Sequence, residues 1–295
     1  MSTQSTTSAA RAIGTESIFR DEGEGHFVPT EQARGPWDPR ALHGGAPAAL
    51  IAAAFERMEP GSELPFARLS FSFLRPIPMA PLRLSTHMTR PGRRVQELHA
   101  DLHAGEVLVC QARALRIVPA PEQLPELAAR LLAERAQAPL PGPEGAHPVH
   151  FALDDPERKS FAASAMEMRF LRGAPLTGEL PEQDSTAAHQ PRGAAQVWMR
   201  LRHPLLPGEP LSSIARVAAT ADFGNGVSAV LPFERYLFIN ADLAISLDRR
   251  AEGEWIALDA RTLLHPGGIG WAQSVLHDER GPFGVATQAL VVQPR

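Results

Sequence analysis

The sequence predicts an α+β fold in which one helix-and-sheet unit occurs twice. Ala48 to Met58 is rich in helix formers and apolar on nearly every face, which predicts a helix buried on most sides. Strand-like segments with short connections follow it and predict an antiparallel sheet against that helix. The order strand, helix, run of strands then returns in the second half. An internal duplication accounts for this better than two unrelated domains.

Residues 1 to about 17 are rich in Ser and Thr and read as a mobile tail. Strand-like character begins around His26-Phe27-Val28, and Gly35-Pro36-Trp37-Asp38-Pro39 makes a loop. His43-Gly44-Gly45-Ala46-Pro47 leads into the first helix, with Pro47 suited to a first turn, and Pro60-Gly61 ends it. Ala48, Ala49, Ala52, Ala53 and Ala54 would let a sheet curve closely about this helix. Phe66 to Leu74 and Leu82 to Met88 alternate with period two, and Val95 to His103 and Glu106 to Val118 are divided by Ala104-Gly105. These segments predict an antiparallel meander.

From Pro119 to about Lys159 the chain is studded with prolines and carries one amphipathic helical piece, Leu124 to Gln137. The implied organisation is a first repeat over 18–118, a linker over 119–160 and a second repeat over 161–295. In the second repeat Ala195 to Arg202 reads as a strand. Leu211 to Phe223 reads as a helix led in by the capping candidates Ser212-Ser213. Strands are expected over Arg235 to Leu247, Glu254 to Leu264, Ile269 to His277 and Phe283 to Val292.

Composition narrows the function classes. With 44% hydrophobic and 21% charged residues, the chain is neither wholly disordered nor collagen-like. Its net charge of −4 gives no field for nucleic acid, and no such partner is expected. The longest apolar run, Ala48 to Phe55, is too short to span a bilayer, so no membrane is expected and the setting reads as cytoplasmic. Cys110 is the only cysteine; in Val107-Leu108-Val109-Cys110 it reads as a small buried hydrophobe rather than a nucleophile. His99 and His103 are four apart, but on a strand that spacing spans roughly 13 Å, too far for one ion. Glu144 and His147 fall in a Pro/Gly-rich loop, and no metal is expected. Asp222-Phe223-Gly224 spells a kinase metal motif without the rest of a kinase and reads as a helix end plus a glycine turn. No Gly-x-Ser-x-Gly elbow is present.

Several pieces together resemble the TesB-like acyl-CoA thioesterases: His43-Gly44-Gly45-Ala46-Pro47, Phe71-Ser72-Phe73-Leu74-Arg75-Pro76 and Ala219-Thr220-Ala221-Asp222-Phe223. The Pro-Gly turn ahead of the third long strand and the closing Ala286-Thr287-Gln288 agree. The resemblance covers about residues 25–118 and 160–293. It implies a double hotdog, in which each repeat is a curved antiparallel sheet wrapped round one long helix. It also implies hydrolysis of acyl-CoA to free acid and CoA without a cofactor, and a homo-oligomer.

Thioester hydrolysis needs an oriented, partly deprotonated water and donors for the carbonyl oxygen. By resemblance the water is held by an Asp, a Thr or Ser hydroxyl and a Gln of the second repeat. These positions fall at Asp222, Asn240 and Gln288. Asn240 departs from the pattern: an amide can position a water but cannot relay its proton as a hydroxyl does. That departure leaves open a non-catalytic acyl-CoA or fatty-acyl binding protein. Asp222, near the C-terminal end of a helix, lies against that helix's dipole, a placement that points to a specific role. Backbone N–H groups of Gly44, Gly45 and Ala46, at a helix N-terminus, are candidate donors to the carbonyl oxygen. His43 beside them reads as a structural residue or a general base. Arg75, Arg90, Arg93 and Arg94, at strand ends of the first half, are candidates for the CoA phosphates. A hotdog hydratase would use an Asp–His pair with an Asn between them. Asp38 and His43 have a similar spacing, but Arg40 stands where the Asn would be, which ranks this reading last.

Overall fold

The computed structural model describes residues 16–59, 64–119, 140–149, 159–173 and 193–295. Residues 1–15 of the expected tail and the expected helix Leu124 to Gln137 lie outside the described residues. In chain order the first half contains strands β1 (Phe19–Gly23) and β2 (His26–Pro29), helix α1 (Gly45–Arg57), and strands β3 (Phe66–Phe73), β4 (Leu82–Arg90), β5 (Val95–Ala104) and β6 (Val107–Ile117). Strands β7 (His147–Val149), β8 (Met166–Arg172) and β9 (Ala194–Leu201) follow, then helix α2 (Ser213–Ala221) and a single helical turn, α3 (Gly224–Val227). Strands β10 (Tyr236–Asn240), β11 (Asp242–Leu247), β12 (Ile256–Leu264), β13 (Ile269–Asp278) and β14 (Gly281–Pro294) complete the chain.

The strands form one continuous antiparallel sheet whose two halves meet where β3 pairs with β11, with Leu69 opposite Ile245 and Phe71 opposite Leu243. Outward from that seam the order is β6, β5, β4, β2, β1 on one side and β14, β13, β12, β9, β8, β7 on the other. The same sequence of roles therefore occurs twice, as the internal duplication predicts, and the architecture is the double hotdog that the resemblance implies. Two expectations are corrected. β3 does not continue a meander into β4 but lies on the far side of β6. Its connection to β4 carries Pro76, Pro78 and Pro81, so it is a crossing loop rather than a hairpin turn. The expected strand Arg235 to Leu247 breaks at Ala241, whose N–H donates to Ala289 and whose carbonyl accepts from Phe73. The charged strand β1 and the three-residue β7 had no expected counterpart, because short edge strands carry little periodicity; β8, seven residues between β9 and β7, was not anticipated either.

Helix α1 is buried along almost its whole length, Gly45 to Ala53 and Phe55, as its all-round apolar character requires. Its alanines bring the sheet close, and each large side chain there, such as Leu50, Ile51 and Phe55, contributes about 1.5–3 kcal/mol by leaving water. Helix α2 begins at Ser212, whose hydroxyl accepts the Ala215 N–H at 3.2 Å. The two helices pack antiparallel inside the sheet. The first turn of α1 meets the last turn of α2, where a Cβ on Gly45 would come within 2.6 Å of the Ala219 carbonyl oxygen. At the opposite end Arg57 pairs with Glu209 at 3.0 Å.

The C-terminal ends of the two helices are finished differently. At the end of α1 the buried guanidinium of Arg116 donates to the Phe55 carbonyl at 2.8 Å and lies over the Phe66 ring. At the end of α2 two neutral amides take the corresponding task, and a carboxylate stands beside them.

Candidate active site

That carboxylate is Asp222, the residue that ends α2, with only 4% of its side chain exposed. Asn240, at the end of β10, donates from Nδ2 to Asp222 Oδ1 at 2.9 Å and to the Asp222 carbonyl at 3.0 Å. Gln288, in the middle of β14, donates from Nε2 to the same carbonyl at 2.9 Å. The structure therefore brings together the three side chains expected to hold water. Gln288 Oε1 also accepts the Asn225 N–H at 3.1 Å, so both ends of this amide grip backbone. Asn240 Oδ1 is buried and has no partner among the described residues, which leaves a vacant acceptor beside the carboxylate.

The dipole argument changes with the tertiary structure. Asp222 opposes the dipole of its own helix, but its carboxylate rests on the first turn of α1, whose N-terminal end favours an anion. His43, just ahead of α1, places Nδ1 3.1 Å from Asp222 Oδ2. The imidazole stacks on Phe223 at 4.2 Å between centroids and is flanked by Phe161 at 5.2 Å. Asp38, the carboxylate that sequence spacing suggested for His43, binds Arg40 instead, at 3.0 Å. The carboxylate beside His43 comes from the other half of the chain instead, in keeping with the last place of an Asp38–His43 pair on sequence grounds.

Of the expected backbone donors, two are engaged. The Gly45 N–H points at His43 Nδ1 at 3.0 Å, and the Ala46 N–H donates to the His43 carbonyl at 3.0 Å. The Gly44 N–H makes no hydrogen bond to a described residue. The arginines do not form one rim. Arg75 lies beside Val109, close to the Phe73–Ala241 contact that leads to Asn240, whereas Arg94 lies beside Val118. Val109 and Val118 are nine residues apart along and just past β6, about 30 Å of extended chain. Arg93 and Arg94 thus stand away from the Asp222 end of the sheet, and Arg90 closes β4 next to them. Both flanks of that turn are solvated strand ends.

Asn225, Gly224, Phe161 and Phe223 were not anticipated as parts of the site. Gly224 is required there, since a Cβ would come within 2.7 Å of Ser274 Oγ and 2.8 Å of Gln288 Oε1. The Gly-Asn pair directly after Asp222-Phe223 was the available signal. Cys110 is fully buried, and burial first, then the charges of Asp222 and Asp101, push its thiol up to about 12. It behaves as a hydrophobe and not a nucleophile. Two cavities among the described residues lie elsewhere. One of about 320 Å³ lies beside Gly25 and Arg57, and one of about 180 Å³ lies beside Phe66 and Ser213. Neither is lined by Asp222, Asn240 or Gln288.

A doubled helix-clasping sheet, with a buried, amide-braced carboxylate where its two helices meet, defines a protein of the hotdog class. Residues 143–292 match the family model for the acyl-CoA thioesterase C-terminal domain and residues 33–117 the model for the N-terminal domain. The chain belongs to the acyl-CoA thioesterase family and hydrolyses acyl-CoA thioesters. Solved structures with the same fold include the tesB protein of Mycobacterium avium subspecies paratuberculosis. It is 15% identical, with 94% of this chain and 96% of that chain covered and a TM-score of 0.62. The acyl-CoA thioesterase II TesB2 of Mycobacterium marinum is 15% identical over 94% and 95%, with a TM-score of 0.61. A hot dog fold protein of Alicyclobacillus acidocaldarius is 16% identical over 94% and 95%, with a TM-score of 0.63. No curated protein matches the sequence. Among the described residues no helix is long and apolar enough to cross a membrane.

Proposed function

We propose that the acyl-CoA thioester is hydrolysed at Asp222, which supplies the negative charge against which the water is set. Asn240 Oδ1 accepts a hydrogen bond from that water, and Gln288 holds the Asp222 backbone in place. The Gly44 N–H faces the carbonyl oxygen as charge develops there. Arg75 is the cation placed to meet the CoA phosphates. One observation carries the reading: at the end of α2, Asp222 accepts from Asn240 of β10 at its carboxylate and from Gln288 of β14 at its backbone carbonyl, so three elements meet within hydrogen-bond distance at one acidic residue. The carboxylate is closed over, so the thioester reaches it as the neighbouring side chains part.

The chain works as a homo-oligomer in the cytoplasm, with 18–118 and 161–295 as its two repeats and 119–160 between them. The outward face of β13 and β14 supports association. Ile269 is 75% exposed and lies opposite Val291, and Trp271 with Ala289 opposite it extends the same apolar strip.

The test is release of free thiol from a panel of acyl-CoAs by wild type and by Asp222→Asn. The variant is expected to lose at least about 100-fold in kcat while remaining folded. Equal rates for both proteins would remove Asp222 from the reaction.

A further inference from the structure

We propose that the adenosine 3′-phosphate end of CoA docks on a patch made by Arg235, Arg295, Tyr236, Phe233 and Trp37, where β10 starts and β14 ends. This deepens the reading above and rests on it, since it places the far end of the same substrate. The patch is gathered from distant parts of the chain. Tyr236, the first residue of β10, lies opposite Pro294, and the Arg295 N–H donates to the Arg235 carbonyl at 3.1 Å. The two arginines thus come to one end of the strand pair. Trp37, from the loop ahead of α1, stacks on Phe233 at 4.6 Å between centroids and meets Phe238 edge-on at 4.8 Å. The Arg295 guanidinium lies over Phe233 at 4.3 Å and over Trp37 at 5.5 Å, and that of Arg235 lies 5.9 Å from the Tyr236 ring.

These two arginines are singled out by the partner they lack. Arg116, Arg169, Arg200 and Arg249 also lie over aromatic rings, but each holds a carboxylate: Glu59 for the first, Glu167 for the next two and Asp278 for the last. Arg235 and Arg295 are exposed and hold no carboxylate among the described residues. Glu234, the acid next to Arg235 in sequence, is exposed and pairs with neither. A guanidinium laid on a ring keeps its N–H edge free, and that edge fits two phosphate oxygens at once. Trp37, Phe233 and Tyr236 are half-buried, so each shows part of a ring to solvent. Aromatic rings and guanidinium planes are the surfaces on which purine bases stack.

The position relative to Asp222 agrees. β10 carries Asn240 at its other end, and Arg235 precedes Asn240 by about 17 Å of extended chain. An extended pantetheine arm separates the thioester from the phosphates by a comparable length. Phe238 lies between them on β10, and its carbonyl accepts from Asn225 Nδ2 at 2.7 Å, which ties the patch to the residues around Asp222. β3 runs antiparallel to β11, so past the Phe73–Ala241 contact the chain heads toward the Tyr236 end of β10 and takes Arg75 with it. Arg75 then serves the diphosphate, which is nearer the thioester, and Arg235 with Arg295 serves the ribose 3′-phosphate and adenine beyond it.

The test compares one acyl group carried on CoA, on dephospho-CoA, which lacks the 3′-phosphate, and on pantetheine, which lacks the whole nucleotide. The Arg235→Ala/Arg295→Ala double variant is expected to raise KM for acyl-CoA about 30-fold with kcat within about threefold of wild type. It is also expected to lose the wild-type preference for CoA over dephospho-CoA. Its kcat/KM on acyl-pantetheine is expected to change less than about threefold. Arg261→Ala removes an exposed arginine on β12 and is expected to leave KM for acyl-CoA within about twofold. A double variant whose KM for acyl-CoA stays within about threefold of wild type would overturn the proposal. So would an equal loss on acyl-CoA and acyl-pantetheine, which would make the patch a latch for the Trp37 loop, or a KM rise in Arg261→Ala as large as that in the double variant. Asp222→Asn is assayed on the same substrates. If it is inactive while the patch variants behave as wild type, the site stands and only the docking patch falls; if it is fully active on acyl-pantetheine, the reading of the site falls as well.

Discussion

Gly44 lies directly against the Asp222 carboxylate: a Cβ on Gly44 would come within 2.8 Å of Oδ2 and 3.1 Å of Oδ1. The carboxylate cannot retreat freely, because Asn240 holds Oδ1 at 2.9 Å. Gly44→Ala is therefore expected to displace the acid from its working position. Thiol-release assays should give a kcat lowered about 10- to 100-fold, with a much smaller effect on thermal stability. An unchanged kcat would mean that the carboxylate has room that the geometry denies it.

Asn240→Asp keeps the side chain's shape and places a second carboxyl group against Asp222. Two carboxylates at 2.9 Å cannot both ionise readily, so one of them titrates at higher pH than a lone acid would. The acid limb of the kcat profile is expected to move to higher pH than in wild type, with activity recovering only above it. A profile that superimposes on wild type would place Asn240 outside electrostatic reach of the reacting groups.

Gln288 is satisfied at both ends by backbone, through the Asp222 carbonyl and the Asn225 N–H. Gln288→Leu fills the space but leaves the Asn225 N–H buried and unpaired. The expected cost is about 2–4 kcal/mol in urea unfolding, together with loss of activity. Lost activity at full stability would instead make Gln288 a direct contact of the water.

His277 is buried on β13 with both ring nitrogens lacking a hydrogen-bond partner among the described residues, and burial holds its pKa below the ordinary 6.5, against the opposing pull of Asp259 and Asp278. The unfolded chain binds this proton at a pH where the folded chain does not. Stability is thus full above about pH 6.5 and declines as pH falls below it. Urea midpoints measured from about pH 7.5 down to about pH 5.5 are expected to decline in wild type and to decline less steeply in His277→Leu. Equal slopes would show that other groups set the acid sensitivity.

Asp222, Asn240 and Gln288 were legible from the sequence as a set, through resemblance to a family whose motifs occur here in the same order. The surroundings of His43 were not. A local pair with Asp38 ranked last on sequence grounds, but nothing in the chain order showed that the carboxylate beside His43 comes from the end of α2. The arginines show the converse. Arg75 and Arg94 look clustered along the chain, but they border widely separated parts of β6. Sequence distance is a poor guide once strands run for ten residues in one direction.

By itself the sequence determined that two similar units exist, that each buries an apolar helix against antiparallel strands, and where most of those elements lie. Such properties are written in local patterning, with period two in strands and an all-round apolar surface in α1. The tertiary structure decided that β3 joins β11 rather than β4, and that α1 and α2 pack antiparallel. That packing is what sets the N-terminal end of one helix under the acid that ends the other. Neither pairing leaves a mark on neighbouring residues, because both arise from burying one unit's open edge and helix against its copy.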